Sequence, residues 1–306
     1  MKKHAVSPHI IQSISEWHQL FRLPKPLHPL ISVLDVSLLD YSHSDVWKHF
    51  SHDFYCVALK QSHTCKMMYG QRDYDFNEGV MTFTKPGQVF KLQPLPHATT
   101  TGYLLLFKPD LIRNFTLGKT ISSYGYFSYD IAESLHLSDS EQTTINSLIQ
   151  QIDQELKVNI DHFSQDIIVS HIELLLNYAN RFYNRQFITR KAHSHDLLSK
   201  VDELLTDYFN DEKNLFSGLL TVQYLADQLN VTPDYLSDML RSLTGQTTQQ
   251  HIHNKLIEKS KELLTTTQMT VSEIAYQLGF EYPQSFNKLF KNKTNVSPLE
   301  FRQSFN

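Results

Sequence analysis

Residues 270–295 read "TVSEIAYQLGFEYPQSFNKLFKNKTN", and residues 221–245 read "TVQYLADQLNVTPDYLSDMLRSLTG", the same pattern forty-nine residues earlier. Ala226 matches Ala275 and Leu229 matches Leu278. Past the turn the offset becomes fifty, and Pro233, Leu236 and Leu240 match Pro283, Phe286 and Phe290. Each copy predicts helix, tight turn, helix. Thr221 and Thr270 are placed to cap the leading helix, Gly279 can take the positive φ that ends it, and a proline opens the trailing helix. That makes two helix-turn-helix units. Between them, "TTQQHIHNKLIEKSKELL" (247–264) puts Ile252, Leu256, Leu263 and Leu264 on one stripe of a helix that would set the separation of the units. Ser297-Pro298-Leu299-Glu300 is a further capping box, opening a short closing helix.

A trailing helix of this kind is narrow enough to enter a DNA major groove while the leading helix braces it across the backbone. In the second copy Ile274, Ala275 and Leu278 are expected to pack against Phe286, Leu289 and Phe290, which turns Gln284, Ser285, Asn287 and Lys288 outward. Gln and Asn pair bidentately with adenine, Ser reaches several base edges, and Lys takes guanine acceptors or phosphate. A single polar helix is as well explained by plain solvation. Two copies joined by a helix weigh against that.

On "LADQLNVTPDYLSDMLRSLTG", "IAYQLGF", "SFNKLFKNKTNVSPLEFR" and the connecting helix, residues 197–306 resemble the DNA-binding domain of the AraC/XylS family of transcription regulators. The resemblance implies a bacterial, sequence-specific regulator that lays two recognition helices into successive major-groove segments of double-stranded promoter DNA. Carried over by position, the first helix would offer Asp234, Ser237 and Asp238. The second would offer Pro283, Gln284, Ser285, Asn287 and Lys288. Two positions depart from the family pattern: Asp238 stands where a basic or amide residue is common, and Ser260 where the connecting helix commonly has alanine. Charge sharpens the first departure. Residues 196–238 hold two basic and nine acidic side chains, a net of −7, whereas 239–306 hold eight basic and five acidic, a net of +3. Phosphate contacts supply most non-specific affinity, so the second unit is expected to carry more of it.

The rest of the chain reads differently. "LISVLDV", "FYCVALK", "CKMMY", "VMTFTK", "QVFKL" and "GYLLLF" between Leu30 and Phe107 are short β-branched and aromatic runs parted by turn signals at Gly70, Gly79 and Pro86-Gly87, the pattern of an antiparallel barrel or sandwich. Ser138 and Glu141 form a capping box before Ile145, Leu148, Ile152 and Leu156. Ile168, Ile172, Leu175, Ala179 and Phe182 then follow at a/d spacing, which suits either a helix pair covering the sheet or a seam between two chains. "NRQFITRKAHSHD" (184–196) is polar and aperiodic and reads as a linker. The expected organisation is therefore α+β with two domains: a sensor and dimerisation domain over 1–186, a linker over 187–196, and the DNA-binding domain over 197–306. "YGQRDYDFNEGVMTFTKPGQVF" (69–90) resembles the cupin-like sensor barrel of the same family, without the paired histidines of metal-binding cupins.

Several classes are disfavoured by composition. With 306 residues, 41% of them hydrophobic, the chain can bury two cores, and it has no apolar run of the roughly 18 residues a membrane helix needs. With no signal-peptide pattern, the expected compartment is the cytoplasm. Cys56 and Cys65, the only two cysteines, fit no disulfide framework. "HSH" (193–195) sits in the linker and "HIH" (251–253) alternates on a helix, where an i, i+2 pair shares no face that could hold a metal, so a polar surface is the expected reading. No phosphate loop or nucleophile elbow is present. Expected, then, are no catalytic residues, no metal and no cofactor. The expected partners are promoter DNA, a second copy of the chain, and RNA polymerase if the chain is an activator. A small-molecule effector would fit the aromatic strands around "FYCVALKQSHTCKMMYG" (54–70). The competing class is a ligand-binding or enzymatic cupin with an appended DNA-binding domain.

Overall fold

The computed structural model describes residues 8–39, 44–61, 66–69, 72–75, 79–90, 101–159, 161–189, 191–210 and 218–305. The chain divides into two compact units, Met1–Gln186 and Phe187–Asn306. Cys65, Gly70 and Glu78 fall outside the described residues.

The first unit is rich in sheet. It runs β1 (His9–Ile11), α1 (Ile14–Leu20), β2 (Ile31–Asp35), β3 (Phe50–His52), β4 (Tyr55–Gln61), β5 (Lys66–Tyr69), β6 (Arg72–Asp75), β7 (Gly79–Thr84), β8 (Val89–Phe90), β9 (Thr101–Phe107), the short helices α2 (Pro109–Ile112) and α3 (Thr116–Thr120), β10 (Leu135–Leu137), α4 (Asp139–Lys157) and α5 (Ser164–Thr189). All six expected runs contain strands. Among the described residues no closed barrel is found: the strands form a five-stranded antiparallel sheet in the order β10-β7-β4-β9-β2, a three-stranded sheet β1-β3-β8 and the hairpin β5-β6. Strand β1 pairs with β3 in parallel. The physical reason lies in β4, where Val57 and Leu59 are buried on one face and Cys56 and Ala58 on the other. A sheet apolar on both faces takes a separate layer on each.

One layer is aromatic. Trp17 of α1 and Phe21, which caps its C-terminus, meet Trp47, Phe50, Phe54 and Phe90 in a core cluster that also takes in Cys56, Ala58, Leu104 and Leu106. Phe54, Cys56 and Ala58, proposed above as pocket lining, thus sit in packed core. Within it His52 is stacked between Phe54 and Phe90 at 4.6 and 5.5 Å. Its Nδ1 donates to the Phe54 carbonyl at 2.7 Å and its Nε2 accepts from the Thr84 hydroxyl at 3.3 Å. Burial holds the ring neutral, down to about 4. Burial likewise pushes the free Cys56 thiol up to about 12, so it is inert at neutral pH.

The helices α4 and α5 belong to the other layer. The Ser138–Glu141 capping box is present, and Ile145, Leu148, Ile152 and Leu156 are buried, as are Ile168, Ile172, Leu175, Ala179 and Phe182. Both stripes are therefore used inside this chain rather than at a seam between two chains. Polar ties fix α5 as well: Tyr126 donates its hydroxyl to the Leu176 carbonyl at 2.8 Å, and Arg185 grips Glu141 at 2.6 Å.

The stretch 187–196, expected as linker, is helical at both ends. Helix α5 runs on to Thr189, and α6 (Lys191–Asn210) begins two residues later. Phe187 at the end of α5 is buried, as are Ser194, Leu197, Val201 and Leu205 of α6, a helical stripe concealed in the sequence because a serine occupies its first place. That serine is satisfied, since its hydroxyl donates to the Phe187 carbonyl at 2.8 Å.

The remainder of the second unit is helical: α7 (Val222–Leu229), α8 (Pro233–Thr244), α9 (Thr248–Thr266), α10 (Val271–Gln277), α11 (Pro283–Thr294) and α12 (Pro298–Gln303). No helix among the described residues is long and apolar enough to cross a membrane.

Candidate DNA interface

Each helix pair is built by local chemistry that the two copies share. In the first, the Thr221 hydroxyl caps α7 by accepting from the Tyr224 amide at 3.1 Å, and Asn230 ends it in the left-handed region at φ 54°. Thr232 caps α8 behind Pro233, and Gly245 ends that helix at φ 75°. In the second, Thr270 and Glu273 cap α10 reciprocally, and the Thr270 amide holds the Glu273 carboxyl below its usual range. Gly279 follows at φ 86°. Only glycine fits there for a further reason: a Cβ would lie 2.4 Å from the Gly218 carbonyl oxygen, which also accepts from the Tyr208 hydroxyl.

Packing then decides which side chains face out. Ile274, Ala275, Leu278 and Phe280 close over Phe286 and Phe290, whose rings run in a chain at 5.5 and 5.8 Å and on to Phe301 at 5.6 Å. Leu289, expected in that core, is half-buried. The opposite face of α11 exposes Gln284, Ser285, Asn287 and Lys288. Among the described residues no hydrogen bond or ion pair engages those four side chains. Pro283 is half-buried and opens the helix, so it brings a fixed φ rather than a contacting group.

The first helix-turn-helix presents a different surface. Leu225, Ala226, Tyr235, Leu236, Met239 and Leu240 form its core. Asp234 is exposed, but Ser237 and Asp238 are half-buried and engaged. Ser237 Oγ lies 3.1 Å from Thr248 Oγ1 at the start of α9. Asp238 accepts from Arg241 Nη1 at 2.8 Å. Arg241, which sequence reasoning counted only as a charge, is exposed on the same face of α8: Asp234, Ser237, Asp238 and Arg241 stand at i, i+3, i+4 and i+7. In the register of the repeat their counterparts are Gln284, Asn287, Lys288 and Lys291. That correspondence was the signal that could have found Arg241.

Helix α9 packs against α6, α7, α8, α10 and α12. Ile252, Leu256, Ile257, Leu263 and Leu264 are its buried stripe. Ser260, where the family favours alanine, is fully buried and donates its hydroxyl to the Leu256 carbonyl at 2.6 Å, so the extra oxygen carries no orphaned polarity. Lys293 donates to Asn254 Oδ1 at 3.2 Å, joining the end of α11 to α9. His251 and His253 engage different partners, Thr244 and Gln249, as alternate positions on a helix must. No group of three or more His, Cys, Asp or Glu side chains that could hold a metal exists among the described residues.

A family model described as "Helix-turn-helix domain" matches residues 225–304. The HTH-type transcriptional regulator YfiF of Bacillus subtilis (strain 168) is 24% identical over 266 residues, which is 83% of this chain and 78% of that protein. The HTH-type transcriptional activator RhaS of Escherichia coli O81 (strain ED1a) is 24% identical over 255 residues, 82% of this chain and 86% of the relative. Among solved structures, the C-terminal domain of the two-component response regulator yesN from Fusobacterium nucleatum is 29% identical. It covers 33% of this chain and 93% of its own, with a TM-score of 0.29. The DNA-binding domain of AdpA, solved with a target DNA, is 23% identical over 36% of this chain and 91% of its own, with a TM-score of 0.31.

Proposed function

We propose that this chain, a DNA-binding transcriptional regulator whose C-terminal region is a helix-turn-helix domain of the AraC/XylS type, reads promoter DNA with α8 and α11 in successive major-groove segments, α11 supplying most of the affinity. The observation that carries this reading is the face of α11. Gln284, Ser285, Asn287 and Lys288 are exposed and unengaged, and Phe286 and Phe290 lock the helix from behind. Groups aimed outward on a rigid element have no intramolecular bond to give up on binding, so the cost of contact is the ordering of their own rotamers. Both charge and engagement favour α11 over α8, where Asp238 is paired and Ser237 tethered. Fluorescence-anisotropy titration against a bound promoter fragment and a scrambled duplex tests the assignment. If Lys288→Ala binds like the parent while Asp238→Ala loses affinity for both duplexes, the ranking of the two units is reversed.

In the same reading the first unit, taken as a cupin-like sensor, supplies regulation in the cytoplasm. It responds to a small-molecule effector, and RNA polymerase is engaged if the outcome is activation. The chain acts as a homodimer. Because the inner stripes of α4 and α5 are buried, the pairing surface is the outer face of α5, where Ile167 and Leu174 are exposed together with Phe163 just before the helix. Sedimentation at micromolar concentration, with and without DNA, tests it. A monomer in both conditions refutes the dimer.

A further inference from the structure

We infer that Arg241 reads a guanine for the first helix-turn-helix unit, with Asp238 as the positioning residue that aims it. The inference rests on the DNA-reading role proposed above. Arg241 lies in the third turn of α8, whereas the base edges are met by the N-terminal part of a recognition helix. Its ion pair corrects the reach. Asp238 Oδ1 accepts from Arg241 Nη1 at 2.8 Å from three residues back, which folds the side chain toward the N-terminal end of the helix. The guanidinium stays in solvent, with its side chain 57% exposed against 30% for Asp238, so its remaining donors are free to meet a ligand. One position before Asp238, Ser237 is tied to Thr248, which steadies this turn of the helix against α9.

The ligand chemistry follows from the pairing. A planar fork held by one edge still presents parallel N–H donors, the geometry that matches O6 and N7 of guanine. The neighbouring carboxylate cancels most of the charge that a phosphate would reward, so the pair is better suited to a base edge than to the backbone. The second unit shows the contrast: its equivalents are Lys288 and Lys291, and α11 contains no acidic residue. Where α11 gathers charge, α8 orients a single cation.

The test uses the full chain and a random duplex pool, so no operator need be known. The parent, Arg241→Ala, Asp238→Ala, the double variant and Lys288→Ala are each taken through selection, and the enriched duplexes are titrated at two salt concentrations. The expected result is that Arg241→Ala loses preference for one G·C pair in one half of the motif, by roughly 5- to 150-fold, while the other half and the salt slope stay as in the parent. Asp238→Ala relaxes that same position, and adds nothing once Arg241 is alanine. Lys288→Ala instead alters the other half. An unchanged motif for Arg241→Ala, with a salt slope lower by about one, makes Arg241 a phosphate contact and overturns the inference. So does a further loss on adding Asp238→Ala to Arg241→Ala. A parent that enriches no sequence refutes the DNA-reading role itself, a distinct failure.

Discussion

Replacing Gly279 by alanine tests the architecture of the second helix-turn-helix at its tightest point. Two costs are expected, and a control separates them. An L-residue in the left-handed region costs roughly 1–2 kcal/mol, and this applies equally at Gly245, where φ is 75° and nothing lies within 4 Å of a built Cβ. At Gly279 the Cβ also meets the Gly218 carbonyl oxygen at 2.4 Å, its carbon at 2.5 Å and the Leu219 nitrogen at 2.9 Å. All three are main-chain atoms, so the backbone itself must shift. Overpacking of that kind adds roughly 1–3 kcal/mol. Gly245→Ala should therefore be the milder variant and Gly279→Ala the more severe by that second amount. Urea titration of each full-length variant followed by far-UV circular dichroism reads the helices of both units, and the part not mirrored in tryptophan fluorescence belongs to the second. Tryptophan fluorescence follows the first, because Trp17 and Trp47 are the only tryptophans. Equal destabilisation by the two variants would show that the Gly218 segment yields freely and that the close approach imposes no constraint.

Phe290→Ala removes a fully buried ring between Phe286 and Phe301 and should cost about 3–5 kcal/mol, read in the same urea titration. Thr232→Ala deletes the hydroxyl that accepts from the Tyr235 amide and should cost about 1 kcal/mol, with no change in tryptophan fluorescence. Lys288→Ala should weaken binding by roughly 1–3 kcal/mol if the side chain reads a base, or lower the salt slope by about one if it touches phosphate, as anisotropy at two salt concentrations will show. Acidification should unfold the first unit ahead of what carboxylates alone predict. The His52 ring sits at about 4 when folded against 6.5 when free, so between those values the unfolded chain binds a proton that the folded chain refuses. Stability attributable to this site is intact above about pH 6.5 and falls, by roughly 3 kcal/mol in all, as pH drops to about 4. Urea midpoints by tryptophan fluorescence at three pH values, parent against His52→Gln, should lose that slope in the variant.

The two helix-turn-helix units were legible because everything that makes them is local. Caps at Thr221, Thr270 and Ser297, prolines at the first helical positions and a glycine at the turn act within a few residues of where they stand. The outward face of α11 followed from the same arithmetic. What escaped depends on distance or on exceptions to residue type. The parallel pairing of β1 with β3 joins segments some forty residues apart, and no period in either announces it. Helix α6 was missed because Ser194, a residue ordinarily read as surface, occupies a buried place and finds its own partner. Arg241 was missed for a third reason: an arginine is legible as a charge, but whether it is spent on a neighbour or offered to a ligand depends on a rotamer.

Helix α9 has a consequence for the nucleic acid rather than for the protein. Its 19 residues rise about 1.5 Å each and it is packed along both units, so it acts as a rod of nearly 30 Å that can neither stretch nor twist. B-DNA advances about 34–36 Å per turn of 10–10.5 base pairs. On the reading proposed above, with α8 and α11 in successive major-groove segments, one base pair inserted between those segments carries the second about 3.4 Å onward and about 35° round the axis, out of reach of a reader that cannot follow. To such a protein the length of the intervening DNA is a message in itself, one that no base substitution can restore once it is changed.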